Sequence, residues 1–347
     1  MDLEEIKLRQ LSGQFLLTPA GTEEAARGLL GIQAQFFRHA MHALCLRSRD
    51  FSPALVQETL IKTWTLRGTV HLVPLEDLPL YLNGDTYRKN EWSSPSFWNQ
   101  RSDWALTSAR QEALSAFLLQ TLADGPLPRD ELKARCRTWG MTPEEEKSMF
   151  HPWGGGIREL CERGFLHYRA QEEKVLCLSP EVTPLPRDQA MRALAARYFA
   201  HYGPATVHDA MYFFHTSARQ VRAWLDMLPV RESRIGGTCY YDLCVQAPPN
   251  SELPACLFLG GFDPLLLGYE KKESLYLRPE HLRSVFSLSG IVRPTCLLRG
   301  QIVGVWKKEG RKLLLSPFHP IDPTDRRLIR DAAAQQLPWL REIAFEP

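Results

Sequence analysis

Apolar positions recur at helical spacing through most of the first half of the chain. Leu3, Ile6, Leu8 and Leu11 open an amphipathic segment, and Gly21-Thr22-Glu23-Glu24 predicts a second helix with Thr22 as its N-cap. Residues 53–62 continue the helical pattern. The period then changes: Thr63–Pro74 is rich in β-branched residues and interrupted by Gly68, which predicts extended structure. Helices followed by an extended hairpin are the order of a winged helix-turn-helix unit.

The same order recurs twice. Residues 107–123 form a helix that ends at Asp124-Gly125-Pro126, and Leu127–Leu132 start the next. Residues 187–202 form a helix that ends at Gly203-Pro204, and Ala205–Ala210 start another. Glycine suits the end of a helix, and proline stops the first helix and fixes the entry to the second. A third helix follows in each case (151–163 and 217–227). Strands come next: 164–169 with 174–178 in one unit, and 238–243 in the other. Shared element order predicts an internal repeat.

Beyond the linker-like Ala247-Pro248-Pro249-Asn250-Ser251 the pattern turns to short apolar runs bounded by Gly and Pro: 255–259, 295–298, 301–306 and 312–315. These predict a small β-rich, barrel-like domain, closed by a final helix over 323–343. The expected fold is therefore α+β. Three tandem winged helices (1–106, 107–185 and 186–248) precede the barrel-like domain (249–347), and the small helical units are expected to pack as one rigid arch.

Composition changes this picture in few places. The 347 residues, 44% hydrophobic and 24% charged, fit a soluble chain with a real core. No apolar run of about 18 residues exists, which excludes a membrane span. The acidic start, Met1-Asp2-Leu3-Glu4-Glu5, lacks the basic-then-apolar character of a signal peptide and points to the cytoplasm. Eight cysteines without a Cys-x-x-Cys pair read as reduced thiols, so neither zinc nor any other metal is expected. A net charge of +2 is too mild to announce nucleic acid, yet the cations are 31 Arg against 11 Lys. Arginine suits bidentate phosphate recognition.

Nucleotide-binding loops, zinc-protease motifs and nucleophile elbows are all missing from the sequence. Gly154-Gly155-Gly156 reads as a loop feeding the third helix of the second unit, with a phosphate cradle as its alternative. His39, His42, His71, His151 and His215 do not fall at a ligand spacing. Lys307-Lys308-Glu309-Gly310-Arg311-Lys312 lies between two strand-like runs, with Glu309-Gly310 at the turn. It is either a charged tip that keeps an edge soluble or a basic hairpin aimed at DNA phosphates.

The segment Leu29-Leu30-Gly31-Ile32-Gln33-Ala34-Gln35-Phe36-Phe37-Arg38 ends an apolar run with two glutamines, which are costly to bury unless paired. Further along stand Trp64–Pro74, Gly203-Pro204-Ala205-Thr206 with Asp209, Phe262–Tyr269, and Pro294–Trp306. Together, and in this order, they resemble the AlkZ/YcaQ-type winged-helix DNA glycosylases, marked by a Gln-hydrophobic-Gln or Gln-hydrophobic-Asp motif near the N-terminus. Two positions depart from the pattern: Ala34 is a modest hydrophobe for the middle place, and Cys296 stands where an aliphatic strand residue is expected.

The resemblance implies a monofunctional N-glycosyl hydrolase that excises N7-alkylated purines from double-stranded DNA and, in the Gln-Gln branch, unhooks interstrand crosslinks. By motif match Gln33 and Gln35 take the catalytic positions. Arg38, Arg67, His71, Lys307, Lys308, Arg311 and Lys312 are expected to contact DNA, the last four from placement alone. A cofactor is not expected, nor a membrane partner, and the chain is expected to act as a monomer. The alternative is a non-catalytic winged-helix regulator that binds DNA.

Glutamine chemistry fits this substrate. A glutamine cannot ionise, but it can hold a water through its carbonyl oxygen and orient it through its amide hydrogens. That suffices when the leaving base is already cationic and departs neutral, so that no general acid is needed. Side chains two residues apart share a face in extended backbone and diverge by about 200° in a helix. The pair is therefore expected at or beyond a helix end, which Gly31 permits.

Overall fold

A computed structural model describes residues 2–82, 104–152, 154–243 and 251–346. The expected linker at 247–250 lies outside the described residues. The chain divides into two compact units: 1–52 with 195–347, and 53–194. No helix among the described residues is long and apolar enough to cross a membrane.

In the first unit, helix Leu3–Gly13 buries Ile6 and Leu11, as its spacing requires, and leaves Leu3 exposed. Helix Thr22–Gly28 begins one residue earlier than expected: Gly21 is the N-cap, and Thr22 instead donates its amide and hydroxyl to Asp50 (2.8 and 2.9 Å). The extended pair Ile32–Gln33 (β1) precedes helix Phe37–Arg47.

The 53–194 unit opens with helix Pro53–Thr59. Residues 60–62, expected as helix, start a strand instead, because β-branched neighbours favour the ladder and its partner strand is at hand. Strands β2 (Leu60–Trp64) and β3 (Val70–Pro74) form an antiparallel hairpin around a short 3-10 turn, Leu66–Gly68. Helix Ser108–Leu122 follows, then β4 (Leu127–Pro128), helices Arg129–Thr138, Pro143–Met149 and Gly155–Glu162, and the hairpin β5 (Leu166–Arg169) with β6 (Val175–Leu178). The sheet runs β3-β2-β5-β6-β4. Its helical cover buries Leu114, Leu118, Leu132, Ile157 and Leu160.

Helix Arg187–His201 ends at the second Gly-Pro, followed by helices Val207–Phe214 and Ala218–Leu225 and the hairpin β7 (Arg231–Ile235) with β8 (Thr238–Asp242). Strand β7 carries no apolar run and escaped the sequence reading. An antiparallel bridge between Ala205 and Tyr241 holds the place that the Leu127–Leu176 pair holds in the preceding set. Both Gly-Pro segments are followed by helices and then a two-stranded hairpin, with three helices in the first set and two in the second.

The last strands are β9 (Cys256–Leu259), β10 (Thr295–Leu298), β11 (Gln301–Glu309), β12 (Lys312–Pro317) and β13 (Glu342–Phe345). They form an open sheet, β13-β12-β11-β10-β9, so the β-rich domain is present without closure into a barrel. Helix Pro323–Gln336 packs Ile329 and Ala333 against it, and Gln336 pairs with the backbone of Cys256 and Phe258, covering that sheet edge. The helix stops at Gln336 instead of 343, since Pro338 disfavours helix at Leu337, and the tail becomes β13, parallel to β12.

Candidate active site

The glutamine segment is shaped by the end of helix Thr22–Gly28. Leu30 and Gly31 both take positive φ (58° and 88°), and the Gly31 amide donates to the Ala26 carbonyl (2.8 Å). This left-handed stop turns the chain out of the helix and into extended backbone. Leu30 is an unusual residue there, and its complete burial offsets the strain. The glutamines therefore lie beyond the helix end.

Gln33 is 8% exposed and Gln35 is exposed. Neither side-chain amide has a hydrogen-bond partner among the described residues. A buried amide without an internal partner must turn its polar end to water or to a ligand.

Next to the pair, Phe36 stacks on Phe262 with ring centres 5.3 Å apart. Gly260 and Gly261 pack so closely on helix Phe37–Arg47 that a Cβ on Gly261 would come within 3.2 Å of the His39 ring and 2.8 Å of the Val292 carbonyl. His42 shares a hydrogen through Nε2 with the Phe258 carbonyl (2.6 Å). At the far end of the helix, Arg47 donates to both oxygens of Asp263 (2.6 and 3.1 Å), and both side chains are fully buried. Asp263 also caps helix Pro264–Leu267 through the Leu265 amide. The Phe-Asp-Pro stretch thus anchors the helix that follows the glutamine motif.

Burial, with Arg38 and His42 adding to it, drives the His39 pKa down to about 4, so the ring is neutral near pH 7. Asp263 is committed to Arg47. Arg38 is exposed with no ion-pair partner among the described residues. The cluster offers amides, an aromatic face and a cation. It has no poised acid or base.

In the other unit, His71 lies on β3 and is buried. Its Nδ1 faces Thr65 Oγ1 (2.7 Å) and the Thr69 carbonyl (3.1 Å), and Arg67 reaches its Nε2 (3.3 Å). A ring protonated on Nδ1 donates to Thr69 and accepts from Arg67. Burial, reinforced by Arg67, pushes its pKa down to about 3. His71 is a neutral residue that holds Arg67 at the hairpin turn, where Arg67 itself has φ 57°.

The Lys307–Lys312 stretch is a hairpin tip whose turn is Gly310-Arg311, one residue later than expected, because Glu309 pairs with Lys312 and Gly310 supplies φ 60°. Its cations are occupied. Lys307 pairs with Glu309 and Glu346 (3.3 Å each), and Lys312 with Glu342 (2.9 Å). Lys308 stacks over Trp339, and Arg311 donates to the Trp339 carbonyl. Four cations face three glutamates, a net of +1.

The glycine triplet is explained by packing. A Cβ would meet the Ser148 carbonyl at 2.1 Å from Gly155 and the Met149 sulfur at 2.2 Å from Gly156. Among the described residues no group of three His, Cys, Asp or Glu could hold a metal ion.

A family model described as DNA glycosylase AlkZ-like matches residues 26–339. The interstrand DNA cross-link repair glycosylase of Streptomyces sahachiroi is 28% identical over 352 residues, covering 94% of this chain and 93% of the relative. The solved structure of Streptomyces sahachiroi DNA glycosylase AlkZ is similar with a TM-score of 0.79 at 23% identity, covering 100% of each chain.

Proposed function

The chain belongs to the AlkZ-like DNA glycosylase family, and from that premise we propose that it hydrolyses the N-glycosidic bond of cationic N7-alkylated purines and unhooks interstrand crosslinks built on them. Family membership displaces the alternative of a non-catalytic regulator. The observation that carries the finer reading is Gln33, a residue nine-tenths buried whose side-chain amide has no internal partner. With Gln35 it holds and orients the attacking water. A purine alkylated at N7 already carries positive charge, so the bond breaks without a proton donor and the base leaves neutral. This matches a site whose neighbouring helix carries an uncharged His39. Because water is the nucleophile, the enzyme leaves an abasic site and does not cleave the strand.

In this reading the helix-plus-hairpin sets are three winged helices over 1–106, 107–185 and 186–248, followed by the β-rich domain 249–347. Duplex DNA is held by Arg38 and by Arg67, which His71 positions. Lys307, Lys308, Arg311 and Lys312 contribute less than their number suggests, because their own glutamates compete with phosphate. The test is release of free alkylbase from a methylated duplex by the wild-type protein, compared with the Gln33→Ala/Gln35→Ala double variant. Release by wild type and none by the double variant is expected; equal release by both would remove the glutamines from the mechanism.

A further inference from the structure

Outside the glutamine segment, two imidazoles stand nitrogen to nitrogen in the β-rich part of the chain. His281 Nε2 lies 3.2 Å from His319 Nε2, although 38 positions separate the two residues in sequence. Each place is set by local structure. His281 closes the 3-10 turn Pro279–His281, and its amide donates to the Arg278 carbonyl (3.0 Å). His319 follows Phe318, whose amide donates to the Val303 carbonyl of β11 (2.8 Å). The His281 ring stacks on Phe318 with ring centres 4.2 Å apart, and the His319 ring meets it at 5.0 Å with the planes 67° apart. His281 is half-buried and His319 is exposed. Neither ring has another hydrogen-bond partner among the described residues.

A plain hydrogen bond between the two nitrogens would sit at the long end of the usual range for a nitrogen donor. At the surface it gains little over hydrogen bonds to water. The separation fits a shared metal ion better. Two imidazole nitrogens at about 2.0–2.1 Å from one tetrahedral zinc stand about 3.3–3.4 Å apart. At right angles, as in square-planar or octahedral coordination, the same bond lengths would bring them to about 2.8–3.0 Å. Imidazole also selects the class of ion, since it suits zinc, copper and nickel, whereas magnesium and calcium take oxygen. No third His, Cys, Asp or Glu joins the pair among the described residues, so water fills the remaining positions on the exposed side of His319.

We propose that His281 and His319 hold a divalent transition-metal ion, zinc by geometry, through their two Nε2 atoms. The site is separate from the glutamine cluster, so it stands or falls independently of the substrate reading. The ion acts as a clip. Strands β10, β11 and β12 all lie between the two ligands in sequence. A metal that closes a long loop takes more freedom from the unfolded chain than one that bridges near neighbours. The unfolded chain does not hold the two rings at this spacing, so occupancy and stability are linked. With two protein ligands the site exchanges its ion with solution, unlike the closed four-ligand sites of structural zinc.

The experiment uses the full chain without a histidine tag, freed of metal by a chelator and titrated with zinc chloride. Calorimetry is expected to show one ion per chain, and the Tm to rise with zinc concentration. Magnesium at the same concentration should leave the Tm where it was. His281→Gln and His319→Gln are each expected to weaken zinc binding by more than the about 10–100-fold that loss of an outer partner costs. Each should also abolish the rise in Tm, while the metal-free Tm stays near wild type. In proton NMR, zinc should shift the ring signals of two of the ten histidines, and these should be the two that the substitutions remove. No zinc uptake by wild type overturns the site. So does uptake that survives both substitutions, or that is lost with only one of them, since a shared ion needs both rings.

Discussion

Replacing Gln33 by alanine separates what this side chain does for stability from what it does for the reaction. Its amide has no partner among the described residues, so truncation orphans no neighbouring donor or acceptor. What is lost is the packing of two methylenes, at about 0.8 kcal/mol each if fully buried. The full figure is not reached, because the amide end of the side chain is turned to water and only part of the chain is packed. A net loss of about 1 kcal/mol lowers the Tm of a unit of about 200 residues by about 2–4 °C. Gln35 is exposed, and its loss should change stability by no more than about 0.5 kcal/mol. The effect on chemistry is of another size. By analogy with oxyanion-hole donors, removing one group that positions the reacting atoms costs on the order of 10²–10³ in rate, about 2.7–4 kcal/mol of barrier. Single-turnover release of N7-methylguanine by each variant, beside its DNA Kd and Tm, reads all three quantities. The expected pattern is a large rate loss at both positions with affinity kept and Tm nearly kept. Full excision by the double alanine variant would refute the assignment, and so would rate losses that follow the fall in Tm.

Three other outcomes are expected. Single-turnover excision should be nearly flat over about pH 6 to 9, because His39 (down to about 4) and His71 (down to about 3) are neutral throughout; a bell-shaped profile would implicate a titrating group instead. The same depressed pKa values make folding weaken in acid. The unfolded chain binds more protons below its histidine pKa of about 6.5, so this stability is complete above that pH and is lost as pH falls towards 4; equal denaturation midpoints at pH 7 and 4.5 would contradict the burial of these rings. Asp263→Ala strands the buried Arg47 and should cost about 3–5 kcal/mol by denaturant titration, whereas Arg47→Met with Asp263→Leu should recover most of it. A loss no larger than that of a surface pair would show the site to be wet. Neutralising Lys307, Lys308, Arg311 and Lys312 together should lower the salt slope of DNA binding by less than the about 3.6 expected of four free contacts, because Glu309, Glu342 and Glu346 already hold two of the lysines; a full-size drop would show that the glutamates give way to phosphate.

What the sequence alone determined is what local chemistry dictates. The helix stops at Gly125-Pro126 and Gly203-Pro204, the hairpin through Gly68 and the strands between 255 and 317 follow from backbone preferences that act within a few residues. The placement of the glutamines beyond a helix end was legible too, because Gly31 and the i, i+2 spacing are both local. The fold decided everything that depends on partners distant in sequence. Residues 1–52 join 195–347 in one unit, so Phe262 and Asp263 reach the helix that follows the glutamines. Residues 342 and 343 read as helix but open the strand that pairs with β12, since strand formation rewards a neighbour that the local pattern does not contain. The same tail brings Glu342 and Glu346 to the basic hairpin and so cancels a charge run that looks free in one dimension. Nothing in the composition of Ser287-Leu288-Ser289-Gly290 distinguishes an exposed leucine from a core one. Solvent exposure is a property of the packed surface, and so is the isolation of the Gln33 amide: both are set by which groups the tertiary structure brings within reach, and which it leaves without a partner.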